Sequence, residues 1–321
     1  MEEIIVSVTD NRFSSYREEE EVLKTTGATL KIFNCSLEEE FNEDIISSHG
    51  LLVNLYPLRA PAIQKLKRCR VISRYGVGYD NVDIKAATAK GIWVTHVPDY
   101  CVEDTSDHAI GLLLACIRQI PYTDMRVRRG AWDIHKEVRL YRIKGRILGL
   151  IGFGRIARAV SRKLRSFGLS KILVNDPYVE PSVIREAGCI PVSREEILRQ
   201  SDYISLHIPL NRETRTLIGT AELESMKPGA ILINTSRGPV IDQEALSKVL
   251  ISGRIGGAGL DVFQEEPLPA DTPLLKLNNV VLTSHIAYYS EESLKELKRK
   301  AAENVAAVFK GERPPFPVNE I

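Results

Sequence analysis

The chain has 321 residues, 44% hydrophobic and 26% charged, a length that favours two domains over one core. With 43 Lys and Arg against 42 Asp and Glu, it lacks the basic excess of a nucleic-acid or anionic-membrane binder, and neither partner is expected. Cys35, Cys69, Cys101, Cys116 and Cys189 are odd in number and lack a C-x-x-C pair, so they read as free thiols of a reducing compartment, with no metal site.

From the N-terminus, MEEIIVSVTD is acidic before a short apolar run, the wrong order for a secretory leader. IIVSV, TLKIF, LLVNL, RVISR and IWVTHV read as short strands, with helix-like SYREEEEVLKTTG and DIKAATAKG among them. Such alternation predicts βαβ units on a parallel sheet. A helical segment follows from about Val102 to Arg129, interrupted at Pro121 and open to reading as two helices. It contains AIGLLLACI, the longest apolar run, whose nine residues are too few to span a bilayer. The expected location is the cytoplasm. A second strand series comprises RILGLIG, KILVND, YISLH, AILIN, GAGLD and VVLTS. These are nearly continuous in hydrophobicity, as buried parallel strands are. The closing stretch SEESLKELKRKAAENVAAVFKG predicts a helix from Ser290, ending at Gly311 before PPFP. Position 293 is Ser, so the Glu or Gln of a full capping box is missing there.

Within ILGLIGFGRIARA (147–159), Gly152, Gly154 and Ala157 have the spacing G-x-G-x-x-A. The first glycine suits a sharp strand–helix turn, the second a close approach of backbone to pyrophosphate, and the small third residue close packing of helix on strand. The helix N-terminus then offers N–H groups to an anion. A tight turn without a ligand needs the same residues, so the motif alone is weak. Asp176, 24 positions after Gly152 at the end of KILVND, adds an acid able to accept from an adenosine ribose. Its other reading is a turn-forming Asp before Pro177.

Further segments carry a resemblance. They are RYGVGYDNVDI (74–84), VEDTSDHAIGLLL (102–114), RRGAW (128–132), SLHIPLNRETRTLIG (205–219), MKPGAILINTSRGPVIDQEAL (226–246), GLDVFQEEPLP (259–269) and LTSHIAYYSEES (282–293). Together they resemble the NAD-dependent D-2-hydroxyacid dehydrogenases over essentially the whole chain. The resemblance implies an α/β protein of two Rossmann-like domains with parallel sheets and an active site in the interdomain cleft. Residues 1–98 and 288–321 would form the substrate (catalytic) domain, and 99–287 the NAD-binding domain. A homodimer built largely on the 102–130 region is implied as well.

Carried over residue by residue, the catalytic set is Arg237, Glu266 and His285. The implied cofactor, NAD, would lie along Thr105, Gly152, Phe153, Gly154, Arg155, Ile156, Ala157, Asp176, His207, Pro209, Thr214, Thr235, Ser236, Asp261 and Ala287. The substrate would meet Arg74, Tyr75, Gly76, Val77, Gly78 and Tyr288. Tyr288 sits where several relatives place Trp.

The chemistry asks for these residue types. A 2-keto acid carries a carboxylate and a carbonyl that becomes negative as hydride arrives, and a planar Arg237 can hold both. His285 can give a proton to the new alkoxide or take one back. Glu266 can fix the ring and favour its charged form. Each residue alone also has a structural reading: a surface cation, a solvated acid beside Glu265, a core histidine. His49, His96, His108 and His135 read as structural. The main functional reading is hydride transfer between nicotinamide and C2 of a small D-2-hydroxy acid or 2-keto acid of the glyoxylate, hydroxypyruvate or phosphoglycerate type. The alternative is an NAD(H)-sensing transcriptional co-regulator resembling the C-terminal-binding proteins, which keeps the same three residues. Formate dehydrogenase is disfavoured, because those relatives place Gln where Glu266 stands. With nothing after residue 321, no serine-feedback domain is expected.

Overall fold

The computed structural model describes residues 3–35, 41–133, 138 and 140–321; His135, read above as structural, lies outside them. The chain divides into two compact units, Met1–Cys101 with Ser290–Ile321, and Val102–Tyr289. In chain order the first unit contains β1 (Ile4–Val8), α1 (Arg17–Leu23), β2 (Ala28–Ile32), α2 (Glu43–Ile46), β3 (Gly50–Val53), α3 (Ala60–Lys65), β4 (Val71–Arg74), α4 (Ile84–Ala89) and β5 (Trp93–Thr95). The second contains α5 (Val102–Arg118), α6 (Ile120–Arg128), β6 (Ile147–Ile151), α7 (Arg155–Leu164), β7 (Lys171–Asn175), α8 (Pro181–Glu186), β8 (Ile190–Pro191), α9 (Arg194–Gln200), β9 (Tyr203–Leu206), α10 (Thr220–Ser225), β10 (Ile231–Asn234), α11 (Gln243–Ile251), β11 (Gly257–Leu260) and β12 (Val280–Leu282). The last helix, α12 (Glu291–Phe309), returns to the first unit.

Both units are α/β with parallel pairing throughout. The first sheet runs β2-β1-β3-β4-β5, and the second β12-β11-β10-β9-β6-β7-β8. In the second sheet β6 pairs with both β7 and β9, Ile151 standing opposite Asn175 on one side and Leu206 on the other. The chain winds outward in opposite directions from that pair. Ligands of open α/β sheets bind at the carboxyl ends of strands at such a switch point. Strands β3, β4, β9, β10 and β11 are buried at every residue. Continuous apolar runs follow from having both faces covered.

Two local features depart from the sequence reading. The long helical segment is two helices, α5 and α6, but the break falls at Gln119, whose backbone is left-handed (φ +49°), and Pro121 sits in the first turn of α6. A first-turn residue needs no N–H partner, so Pro is tolerated there. At the start of α12, Ser293 does the work of the missing Glu. Ser290 N donates to Ser293 Oγ at 2.8 Å, and Ser293 N donates to Ser290 Oγ at 2.9 Å. A short hydroxyl reaches the cap backbone from the third helical position, so the box closes without a carboxylate. The helix then buries Leu297, Ala301, Ala302, Val305 and Val308. Each of its larger apolar side chains contributes on the order of 1.5–3 kcal/mol by leaving water.

Among the described residues no helix is long and apolar enough to cross a membrane, no cluster of metal-ligating side chains occurs, and none of the five cysteines is in a disulfide.

Candidate active site

The second unit's site begins where β6 turns into α7. Gly152 has φ +90°, and a Cβ there would overlap the His207 carbonyl oxygen and lie 2.8 Å from Ile208 Cγ2. Only glycine meets both demands. Its N–H donates to Asn175 O at 2.8 Å, tying the turn to β7. Gly154 is the N-cap of α7, with no side-chain cap, and a Cβ on it would meet nothing within 4 Å. Arg155 and Ile156 open the helix, and Ala157, its third residue, is fully buried. No side chain caps the first N–H groups of α7, and a helix supplies them no acceptor of its own.

Asp176 follows β7 and is half-buried. Its Oδ2 accepts from Phe153 N at 2.8 Å, and its Oδ1 from Tyr178 N at 2.9 Å. The Tyr178 hydroxyl in turn donates to Glu213 Oε2 at 3.0 Å. Across the switch point, His207 Nε2 lies 2.9 Å from Ser205 Oγ, and burial pushes its imidazole down to about 4. This histidine is therefore neutral at physiological pH. Thr214 closes the loop after β9 by donating to Pro209 O at 2.6 Å. Thr105 is buried in the first turn of α5. Thr235 Oγ1 is buried with no hydrogen-bond partner among the described residues. An open helix N-terminus, a half-buried acid at the next strand's end and a partnerless buried hydroxyl together fit a dinucleotide.

The chemical end lies at the tips of β10, β11 and β12. Asn234 organises the first of these. Its Oδ1 accepts from both Ser236 N (3.0 Å) and Ser236 Oγ (2.7 Å), while its Nδ2 donates to Arg237 O (2.9 Å). A Cβ on Gly238 would overlap the Phe263 carbonyl and come within 2.6 Å of Gln264 N. The Arg237 segment thus lies directly against the backbone that leads to Glu266.

Glu266 and His285 form a close pair. Glu266 Oε1 accepts from Phe263 N at 2.9 Å, and Oε2 lies 2.7 Å from His285 Nδ1. Partial burial would raise the Glu266 carboxyl. The hydrogen bond and charge of His285, the Phe263 N–H and the Arg237 charge outweigh it and hold the group below the ordinary carboxylate value. Glu266 is accordingly anionic near neutrality, and Nε2 is the ring nitrogen left to work.

His285 has a left-handed backbone (φ +55°). Fully buried Asp261 holds it there. The Asp261 carbonyl accepts from His285 N at 2.8 Å, its Oδ1 from Ile286 N at 2.9 Å and Thr283 Oγ1 at 2.6 Å, and its Oδ2 from Ala287 N at 2.9 Å. Behind Thr283 stands His108 of α5, Nε2 to Oγ1 at 2.9 Å. The Tyr288 ring meets the His285 ring edge-on, centroids 6.3 Å apart.

In the first unit, buried Arg74 ends β4 and its guanidinium reaches the Tyr75 carbonyl. Gly76 has φ +128°. Its carbonyl accepts from Val97 N at 2.9 Å, and the Val77 carbonyl lies 2.8 Å from His96 Nδ1. Among the described residues, no acceptor pairs with the N–H groups of Gly76, Val77 and Gly78.

Asn234, Phe263 and Thr283 escaped the sequence reading, and His108, read as structural, is seen to support Thr283. Asn234 and Thr283 lie inside the motifs, one and two positions from assigned residues or nearly so, and spacing alone does not say which polar side chain turns back to support its neighbours.

The family model for the NAD binding domain of the D-isomer specific 2-hydroxyacid dehydrogenases matches residues 110–287, more than half of the chain. The chain belongs to this family. It is an NAD-dependent oxidoreductase of 2-hydroxy acids. The dehydrogenase is 45% identical over 267 residues to a glyoxylate reductase of Korarchaeum cryptofilum, covering 82% of this chain and 80% of that protein. A crystal structure of a glyoxylate reductase from Paecilomyes thermophila superposes with a TM-score of 0.90 at 31% identity, covering 99% of each chain. A D-lactate dehydrogenase from Aquifex aeolicus, complexed with NAD and lactic acid, superposes with a TM-score of 0.86 at 31% identity, covering 96% of each.

Proposed function

We propose that the dehydrogenase works mainly as a reductase of small 2-keto acids of the glyoxylate or hydroxypyruvate type, with Arg237, Glu266 and His285 as its catalytic residues. The observation that carries this reading is the 2.7 Å contact between His285 Nδ1 and the Glu266 carboxylate, with the Arg237 charge acting on the same acid. Glu266 fixes the ring through Nδ1, so Nε2 is the nitrogen that carries the transferred proton. Arg237 pairs with the substrate carboxylate and the carbonyl oxygen through its planar fork. When bound, NADH supplies the hydride to C2. The carbonyl π electrons move onto oxygen, and the His285 Nε2 proton joins them, leaving a 2-hydroxy acid and a neutral imidazole. Oxidation runs the same proton backwards.

The second unit would hold the dinucleotide. The pyrophosphate would meet Gly152, Phe153, Gly154, Arg155, Ile156 and Ala157, and the ribose Asp176. His207, Pro209, Thr214, Thr235 and Ser236 would line the cofactor's course, with Thr105, Asp261 and Ala287 toward its nicotinamide end. In the first unit the unpaired N–H groups of Gly76, Val77 and Gly78 suit a carboxylate. Arg74, Tyr75 and Tyr288 complete the proposed substrate contacts. The name of the Korarchaeum relative supports glyoxylate as the first keto acid to try. We also propose a homodimer through α5 and α6, supported by exposed Ile120, Val127 and Trp132, and a cytoplasmic location.

The deciding experiment is NADH oxidation against a panel of glyoxylate, hydroxypyruvate, pyruvate and phosphohydroxypyruvate. Efficient turnover of the first two supports the reading. Turnover of phosphohydroxypyruvate alone would move the enzyme to the phosphorylated class, and a monomer by light scattering at micromolar concentration would remove the dimer.

A further inference from the structure

Behind the loop that starts at Tyr75 lies a buried acid that the chemistry above does not use. Glu19 of α1 is fully buried, and so is Tyr75. The Tyr75 hydroxyl donates to Glu19 Oε1 at 2.8 Å, while Glu19 Oε2 is buried with no hydrogen-bond partner among the described residues. The Tyr75 ring meets the Phe13 ring edge-on at 5.1 Å. Its backbone N–H donates to Val53 O at 2.8 Å, and the unpaired N–H groups of Gly76, Val77 and Gly78 follow directly. The side chain of Tyr75 is thus pinned at its far end by one carboxyl, and its backbone is the root of the loop.

We propose that Glu19 is a positioning residue for 2-keto acid binding: carrying a proton, it holds Tyr75 and through it the loop Gly76–Gly78, and on losing that proton it weakens the loop's hold on the substrate carboxylate. The proposal rests on the reading that this loop takes the carboxylate.

Three physical points support it. A buried carboxylate with one bare oxygen is costly, whereas a carboxylic acid places its proton on that oxygen and leaves Oε1 free to accept from Tyr75. Burial pushes the Glu19 carboxyl up to about 7, against the lowering effects of the Tyr75 hydrogen bond, its own backbone and Lys298. Lastly, a negative charge behind the loop opposes the negative charge the loop must bind.

The surrounding charges do not neutralise Glu19. Lys298 of α12 is buried, but its ammonium donates to Ser15 O at 2.9 Å and pairs with Glu18 at 2.5 Å. Asp10, before α1, accepts from the N–H groups of Asn54, Leu55 and Tyr56 and has Arg12 at 3.8 Å. The Tyr16 hydroxyl donates to Asn11 Oδ1. Lys31 of β2 pairs with Asp44. Glu18 adds a like charge. Ionised Glu19 keeps the Tyr75 hydroxyl on Oε1, but its bare Oε2 then draws on Lys298 or admits water beside Tyr75.

The test compares wild type, Glu19→Gln and Tyr75→Phe across pH, with glyoxylate and hydroxypyruvate at saturating NADH. Wild-type KM should rise at least tenfold from about pH 6 to about pH 8.5 beyond any change in the Gln variant, whose amide cannot ionise. Groups that titrate in both enzymes cancel in that ratio. Tyr75→Phe should raise KM severalfold at acid pH, with kcat within a factor of two and NADH affinity unchanged. A second readout needs no substrate. An acid whose folded value is raised makes the fold less stable as pH climbs from its unfolded value near 4.5 to about 7, so the Tm of wild type should drop relative to Glu19→Gln over that interval. Equal KM profiles in wild type and Glu19→Gln, in an enzyme that turns over keto acids, overturn the proposal. Absence of keto acid turnover in wild type instead removes the functional reading on which it rests, and the Tm comparison then judges the ionisation alone.

Discussion

The two glycines of the β6–α7 turn should fail in different ways when each becomes alanine. Gly152→Ala places an L-residue at φ +90°, at a cost of about 1–2 kcal/mol. The new methyl also overlaps the His207 carbonyl and crowds Ile208 Cγ2 at 2.8 Å, so backbone must shift, at about 1–3 kcal/mol more. A total of roughly 2–5 kcal/mol corresponds to a Tm drop of about 4–20 °C for a unit of this size. Gly154→Ala meets neither obstacle. Its φ is −73° and the space beside it is open, so the fold is expected to be unharmed or up to about 1 kcal/mol more stable. That open space is where a pyrophosphate must approach the N–H groups of α7. A methyl there should weaken NADH at least tenfold, about 1.4 kcal/mol. Differential scanning fluorimetry gives the first quantity, and an NADH fluorescence titration the second. A Gly154→Ala enzyme with wild-type Tm and wild-type NADH affinity would refute the assignment of this turn to the pyrophosphate. A Gly152→Ala enzyme with wild-type Tm would refute the packing argument.

Arg237→Lys keeps the charge but loses the planar fork, and kcat/KM for every keto acid should fall about 100-fold or more while NADH affinity stays within twofold; wild-type kinetics would transfer the anchor to another cation, Arg74 first. Glu266→Gln removes the anion that holds the His285 ring through Nδ1, and kcat/KM for reduction and for oxidation should both fall about 100-fold while NADH affinity stays within twofold. Wild-type kinetics in both directions would make Glu266 a structural acid and direct attention to Glu265. Asp176→Ala removes a negative charge from the proposed ribose site, and the preference for NADH over NADPH in kcat/KM should narrow at least tenfold; an unchanged ratio would mean that this acid does not face the ribose.

Most of the strands were legible because buried parallel strands leave runs such as AILIN and KILVND nearly continuous in hydrophobicity. The switch-point turn was legible for a related reason: a backbone that must bend sharply and stay bare leaves only glycine. The two-residue β8 was not, since Ile190 and Pro191 form no run and owe their place to β7 alone. The cap of α12 was misread at Ser293, because the motif specifies a carboxylate or amide while the geometry asks only for an acceptor within reach. The supports of the candidate site were the least visible. Asp261 was assigned to the cofactor by resemblance, but its four bonds to residues 283–287 depend on β11 and β12 lying side by side. His108 joins them from a helix more than 150 positions upstream. Glu19 reads as one of four consecutive acids in REEEE, and only the packed chain distinguishes the one turned inward.

The return of α12 to the first unit bears on how the chain is made. Ser73 Oγ donates to Ala301 O at 2.9 Å, Arg70 to Val308 O at 2.8 Å, and Val318 N to Val94 O at 2.7 Å, so the first sheet is completed by residues from the far end of the molecule. On a ribosome adding about 5–20 residues per second, the stretch from Val102 to Tyr289 separates those partners by on the order of ten to forty seconds. During that interval the nascent N-terminal segment exposes the apolar face of β3 and β4 that Val305 and its neighbours later cover. The second unit is continuous in sequence and can close its own core first. The N-terminal segment is thus the last to mature although it is the first to emerge, and it is the part for which a chaperone would matter.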